Sequence, residues 1–177
     1  MRIDGDGWAL VPDHPRFAPD WVRAFDEDPQ LAVDWGIEEQ MAEELAHKWL
    51  TEHAELWEKG DGCHFAVVTR DDEFLGGINF HNIRSEHHRA EIGFWLAPWA
   101  RRRGIGSGSV AAACRWAFDR WDLVRVEMTT LPDNEASLAL ARKIGFTREG
   151  LLRQRNFERG KQVDIVMLGV LRDELSL

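Results

Sequence analysis

The chain reads as a single α/β domain, residues 1–177, built on a mixed sheet. Three observations predict this. The hydrophobic period switches between about 3.6 and 2 along the chain. The helical and strand segments do not alternate regularly, as they would in a doubly wound parallel sheet. No linker, repeat or low-complexity stretch interrupts them, and 177 residues with 44% hydrophobic content suffice for one core.

Taken in order, Trp8–Pro12 is a short strand. Asp20–Asp28 follows Pro19 and reads as a short helix stopped by Pro29. Ile37–Lys59 reads as a long helix, with Met41, Leu45, Trp49 and Leu56 near helical spacing, acids at its start and Gly60 at its end. The period then becomes two. Cys63–Arg70 and Glu73–His81 form a hairpin about Asp71-Asp72, and Arg89–Leu96 is a further strand closed by Pro98. Gly104–Trp121 is a helix, Leu123–Thr130 a strand, and Asn134–Lys143 a helix stopped by Gly145. Phe146–Asn156 and Gln162–Leu171 are the last strands, joined at Arg159-Gly160.

The net charge of −9 argues against general nucleic-acid binding. The acidic excess lies in residues 1–100, while residues 101–177 are net basic. That asymmetry fits an anionic cofactor on one side and a cationic acceptor on the other; a solvated acidic helix face explains it equally well. No apolar run approaches the roughly 18 residues of a membrane span, and the N-terminus lacks the pattern of a signal peptide. Cys63 and Cys114 stand far apart in apolar settings and read as buried, reduced thiols, so the expected compartment is the cytoplasm. His81, His87 and His88 match no zinc spacing, and no metal is expected.

The chemistry is carried by the segment from Glu91 to Ser107, EIGFWLAPWARRRGIGS. A strand runs into a basic, Gly-rich loop that opens a helix. Free N–H groups and the helix dipole stabilise an anion there, Gly104 and Gly106 permit close backbone approach, and Arg101, Arg102 and Arg103 add charge. No Lys follows the glycines, which excludes a Walker A loop. Ser109 stands where a dinucleotide fingerprint needs its third Gly. The remaining pattern, Arg101-x-x-Gly104-x-Gly106-Ser107, resembles the pyrophosphate loop of the GNAT acetyltransferases.

The surroundings strengthen the likeness. Asn134-Glu-Ala-Ser137, Lys143-Ile-Gly145-Phe146, Glu149-Gly150-Leu151-Leu152-Arg153, Asp164 and Leu171-Arg172-Asp173-Glu174 follow in order. This series resembles the branch holding the ribosomal-protein-alanine N-acetyltransferases, over about residues 60–175. The resemblance implies a mostly antiparallel sheet of about seven strands with a splayed centre and about four helices. It implies acetyl-CoA as co-substrate and a primary amine as acceptor, on a protein N-terminus or a small molecule. Dimers are common in that branch, so a homodimer is one expected assembly.

It also implies roles. Phe94, Trp95 and Leu96 would offer backbone groups to the pantetheine arm and an N–H to the thioester oxygen. Residues Arg101, Arg102, Arg103, Gly104, Ile105, Gly106 and Ser107 would hold the diphosphate. Asn134 would bind the pantetheine arm, cap its helix, or both. Lys143 would lie near the nucleotide end or in solvent. Many GNAT enzymes protonate the leaving thiolate with a Tyr, but this chain has no Tyr. Ser137 is the leading substitute. Glu91 is the carboxylate candidate for general base, with His81 a further candidate at the acceptor. Trp35 is expected to stack on the acceptor or to pack in the core. Glu38, Glu39, Glu43 and Glu44 would favour a cationic acceptor. Asn156 stands where ribosomal-protein enzymes of the branch carry a Glu, which weakens the case for a ribosomal substrate. Two other readings remain open: a non-catalytic acyl-CoA-binding module or sensor, and a loop for another nucleotide such as ATP.

Overall fold

The computed structural model describes residues 1–177 apart from Gly36, Glu38, Glu39, Gly60, Asp61 and Arg159, and apart from the side chains of Asp34 and Glu58. Its elements run β1 (Ile3–Asp4), β2 (Ala9–Pro12), α1 (Ala18–Glu27), α2 (Pro29–Asp34), α3 (Glu43–Lys59), β3 (Cys63–Val68) and β4 (Phe74–Arg84). They continue with β5 (Arg89–Leu96), α4 (Ile105–Arg120), β6 (Arg125–Thr130), α5 (Glu135–Lys143), β7 (Thr147–Glu158) and β8 (Lys161–Leu171). The fold is α/β with a mostly antiparallel sheet, as expected, but with eight strands and five α-helices among the described residues.

The two extra elements have simple causes. β1 is two residues long, too short for an alternation to show, and is held by pairing Ile3 with Leu10. Pro29 was expected only to end a helix, yet it opens α2. Proline suits a first helical position, where its missing N–H is no loss. Asp28 caps that helix, its Oδ1 accepting the Gln30 N–H at 3.1 Å. The long helix begins at Glu43, not Ile37; Glu38 and Glu39 of its expected acidic start lie outside the described residues, as do Gly60 and Arg159.

The chain gathers into two compact units: Met1–Asn79 with Phe94–Ile105, and Phe80–Gly93 with Gly106–Leu177. In the first, the strand order is β1-β2-β3-β4-β5, with β2 antiparallel to β3 from Ala9↔Val68 to Pro12↔Phe65. Helices α1–α3 supply the other half of its core, where Phe17, Trp21, Phe25, Leu50, Phe74 and Trp95 are buried. Each such side chain contributes roughly 2–3 kcal/mol relative to exposure. Trp95 meets Trp21 edge-on at 5.4 Å and Phe25 at 5.4 Å. A Cβ at Gly76 would stand 2.3 Å from the Trp95 carbonyl oxygen, so only glycine lets the β4 and β5 backbones approach this closely.

In the second unit the order is β4-β5-β6-β8-β7. β5 runs parallel to β6, and α4 supplies the crossover that a parallel pair requires. Their pairing spans Arg89↔Arg125 to Glu91↔Glu127, whereas β6 stays paired to β8 as far as Thr130↔Val166. Small side chains, Ala111, Ala113, Cys114 and Ala117, bury much of α4. Both cysteines are buried and unbridged, and burial raises both thiol pKa values far above the ordinary range.

Candidate active site

The Gly-rich loop takes a shape its composition allows. Arg102 (φ 60°) and Gly104 (φ 78°) both lie in the left-handed region, which turns the chain from β5 into α4 at Ile105. A Cβ at Gly104 would meet nothing within 4 Å, so glycine is needed there for conformation and not for space. The three arginines are not equivalent. Arg101 is committed: its guanidinium pairs with Asp28 at 2.6 Å and its Nε donates to the Leu96 carbonyl at 3.0 Å. Arg102 and Arg103 are exposed and make no ion pair among the described residues. Two free cations therefore flank the turn, and the third braces it.

Phe94, Trp95 and Leu96 precede this loop in the first unit, Trp95 with its indole in the core and Phe94 and Leu96 half-buried. Ile105 is buried beneath the turn. In the second unit, Gly106 and Ser107 occupy the first turn of α4, whose leading N–H groups have no intrahelical acceptor. Lys143, at the end of α5, donates from Nζ to Ser107 Oγ at 3.2 Å. At the other end of α5, Asn134 Oδ1 accepts the Ser137 N–H at 3.1 Å, so Asn134 is a helix cap. The Ser137 hydroxyl, half-buried, makes no hydrogen bond among the described residues.

Glu91 lies on β5 in the second unit and is fixed from three directions. His81 Nε2 stands 3.4 Å away, Asn82 Nδ2 donates at 3.0 Å, and Thr129 Oγ1 donates at 2.8 Å. These contacts, His81 foremost, hold its carboxyl at about 2 despite partial burial. A carboxylate held so low is a weak proton acceptor at neutral pH, and it is well suited to orient the His81 ring. Asn156 donates to Glu158 at 3.5 Å on exposed β7.

Trp35 is the C-cap of α2 and lines a cavity of about 120 Å³ in the first unit. His81 is not among the residues lining it. Sequence reasoning missed what lies at one wall. Asp13, His53 and His64 bring their polar side-chain atoms within 4.8 Å of one another. His53 Nδ1 is 3.0 Å from Asp13 Oδ2, and the two imidazoles stack at 3.6 Å with 14° between planes. Near-parallel rings cannot both hold one ion in their planes, so the trio makes a poor metal centre. Positions 13, 53 and 64 share no local pattern, and no sequence signal joins them.

A family model for the acetyltransferase (GNAT) domain matches residues 10–147. The chain belongs to the GNAT acetyltransferase family. This GNAT chain is an N-acetyltransferase, an acyltransferase. It is 31% identical over 139 residues to the uncharacterized N-acetyltransferase YoaA of Bacillus subtilis (strain 168), covering 78% of each chain. It is 30% identical to the ribosomal-protein-serine acetyltransferase of Escherichia coli (strain K12), over 72% of this chain and 70% of that one. Among solved structures it resembles RimL, a ribosomal L7/L12 α-N-protein acetyltransferase in complex with coenzyme A. The TM-score is 0.87 and the identity 24%, covering 98% of this chain and 99% of that one. That last likeness bears on the GNAT fold alone.

Proposed function

We propose that the whole chain acts as one catalytic domain that moves an acetyl group from acetyl-CoA to a primary amine, on a protein N-terminus or a small molecule, by direct attack in a ternary complex. The observation that supports this most is the turn at Arg102–Gly104: two unpaired cations and a left-handed backbone opening directly into a helix N-terminus. Those groups fit a diphosphate. The L7/L12 acetyltransferase structure contains coenzyme A, which agrees with this reading. The Escherichia coli relative, a ribosomal-protein-serine acetyltransferase, makes a protein α-amine the first class of acceptor to test.

Bound there, acetyl-CoA would supply an activated acetyl thioester, and coenzyme A would leave as the thiol. The protein's own groups do the rest. Arg102, Arg103 and the N–H groups from Gly104 to Ser107 hold the diphosphate, while Arg101 keeps the turn in shape and Lys143 supports Ser107. Backbone groups of Phe94–Leu96 would hold the pantetheine arm, and an N–H there would donate to the thioester oxygen and stabilise the negative charge that develops on it. An ammonium has no lone pair, and aliphatic amines titrate near pH 10 and α-amines near pH 8, so the amine must first lose a proton. The His81 imidazole, oriented by Glu91, receives it. The Ser137 hydroxyl donates to the departing sulfur, the place a Tyr fills in many GNAT enzymes. The buried, unbridged cysteines suit a reducing compartment, the cytoplasm.

The test is an acetyl-CoA assay over a panel of peptides and small primary amines, reading thiol release. Turnover on at least one class is expected. No turnover on any of them, with coenzyme A bound, sinks the proposal.

A further inference from the structure

On a regular strand, neighbouring side chains point to opposite faces of the sheet. His81 and Asn82 are neighbours on β4, yet both reach one oxygen of Glu91. His81 Nε2 stands 3.4 Å from Oε2, and Asn82 Nδ2 donates to the same atom at 3.0 Å. Asn82 has φ 49°, in the left-handed region, within the strand that runs from Phe74 to Arg84. This local reversal breaks the alternation and brings two consecutive side chains to one carboxylate. Asparagine is among the few residues that enter that region at small cost.

The other oxygen of Glu91 is held from β6, where Thr129 Oγ1 donates to Oε1 at 2.8 Å. With Oε1 pinned, the carboxylate cannot swing about its terminal bond, a soft torsion when unheld, and Oε2 stays turned towards His81. The neighbouring charges do not compete for it. Glu127 is the β6 partner of Glu91 in register, but its Oε2 accepts from Arg89 and its Oε1 from Arg125 Nε at 2.9 Å. Arg125 is shared in turn with Glu149.

We infer that Asn82 and Thr129 are positioning residues for the proton transfer: together they fix the Glu91 carboxylate so that the His81 ring is held in the one orientation in which Nε2 faces it. The inference rests on the amine-acetylating reading above and deepens it.

The chemistry follows from what each group can do. Glu91 titrates at about 2, so it is ionised at neutral pH. A carboxylate only accepts, so the ring nitrogen facing it carries a hydrogen, and the lone pair of the neutral ring lies on Nδ1. An N–H bond of the incoming ammonium breaks, an N–H bond at Nδ1 forms, and the amine keeps the electron pair with which it attacks the thioester. The resulting imidazolium has its charge balanced by Glu91. Without the two holding bonds the ring can turn over and direct its N–H, in place of its lone pair, at the amine.

Ring order tests this without turnover. In the full chain, the order parameter of the His81 Cε1–H bond is measured by NMR relaxation, with the signal assigned through His81→Gln. The wild-type ring is expected to be rigid, and Thr129→Val, which removes the hydroxyl at constant shape, is expected to bring the order parameter below about 0.6. Thr129→Ser, which keeps the hydroxyl, should stay as the wild type. A role in stability alone would lower the unfolding midpoint and leave the ring order unchanged. A wild-type ring that is already mobile, or a Thr129→Ser ring as loose as that of Thr129→Val, overturns the inference.

Kinetics separates this inference from the broader one. For the most rapidly acetylated amine of the panel above, Thr129→Val is expected to lower kcat about 10-fold and to change KM less than about 3-fold, while Thr129→Ser recovers most of the loss. Asn82→Val, which cannot adopt the left-handed backbone without strain, should lose at least about 10-fold in kcat, and Asn82→Gly, which keeps the backbone and drops the amide, about 3-fold. Coenzyme A affinity should stay as in the wild type in all four variants. Transfer that proceeds with kcat indifferent to Thr129→Val and Asn82→Val overturns the positioning role and leaves the acetyltransferase reading standing. A ring that loosens as expected in a chain that acetylates no amine does the reverse.

Discussion

The turn at residues 101–107 and the chamber beside Asp13 solve opposite problems. The turn is short in sequence, its arginines are exposed, and on the proposed reading it acts through backbone shape and unpaired charge. The chamber is assembled from residues more than eighty positions apart, from Asp13 to Trp95, and most of its wall is aromatic. An exposed anion site has only to concentrate positive potential, so a few consecutive residues suffice. A selective pocket needs enclosure, which only several elements packed together provide. The comparison teaches that a cationic, glycine-bearing turn can be encoded within a few consecutive residues, while an aromatic pocket is encoded only by the fold.

Charge reversal at the turn should give the largest effect. Arg102→Glu with Arg103→Glu is expected to weaken coenzyme A binding about 100-fold by calorimetry, about 2.7 kcal/mol. An affinity within 3-fold of the wild type would break the comparison on the side of the turn.

Gly104→Val is the next largest. A β-branched residue at φ 78° is strained, by about 1–3 kcal/mol. About 10-fold weaker coenzyme A binding is expected. Because the position faces open space, Gly104→Asn, which tolerates left-handed backbone, should recover most of it. Equal losses in both variants would mean that space, not conformation, is what glycine provides there.

Glu91→Gln sharpens the contrast between positioning and binding. The carboxyl titrates at about 2 in the folded chain, below its ordinary value near 4.5, so its stabilisation is present above about pH 4.5 and fades as the pH falls towards 2. The half-exposed His81 is screened by solvent, which leaves about 2 kcal/mol at pH 7. Denaturant unfolding at pH 7 should show the variant less stable by about that amount, the gap closing near pH 2–3. A gap independent of pH would remove the electrostatic account.

Arg101→Lys should matter least. An exposed ion pair is worth up to about 1 kcal/mol, so coenzyme A affinity should fall no more than about 3-fold. A loss as large as that from Arg102 and Arg103 would make all three arginines direct ligands.

The difference between the two regions also explains what was readable in advance. The strand-loop-helix run from Glu91 to Ser107 declared itself because period, glycine and charge all fall within a few consecutive residues. The later helices and the β7–β8 hairpin followed from periodicity and from turn residues. Asp28-Pro29 was ambiguous: proline both ends one helix and begins the next, and only the capping bond of Asp28 to Gln30 decides between them. The expected helix start at Ile37 failed because acids and apolar residues at helical spacing do not by themselves nucleate a helix. Glu91 was visible as a carboxylate on a strand, but not its three partners. The pairing of Asp13 with His53, and His64 stacked behind them, was invisible, because the contact exists only once α3 has packed.

Asp28 uses both carboxylate oxygens, one on the Gln30 amide that starts α2 and one on Arg101. That short helix ends at Trp35, a wall of the chamber. A single acid thus links the Gly-rich turn to Trp35 through six residues of helix. Substitutions at Asp28 should therefore alter which amines are chosen as well as how firmly the nucleotide is held, a pleiotropy that a screen scoring total turnover would record as one modest loss.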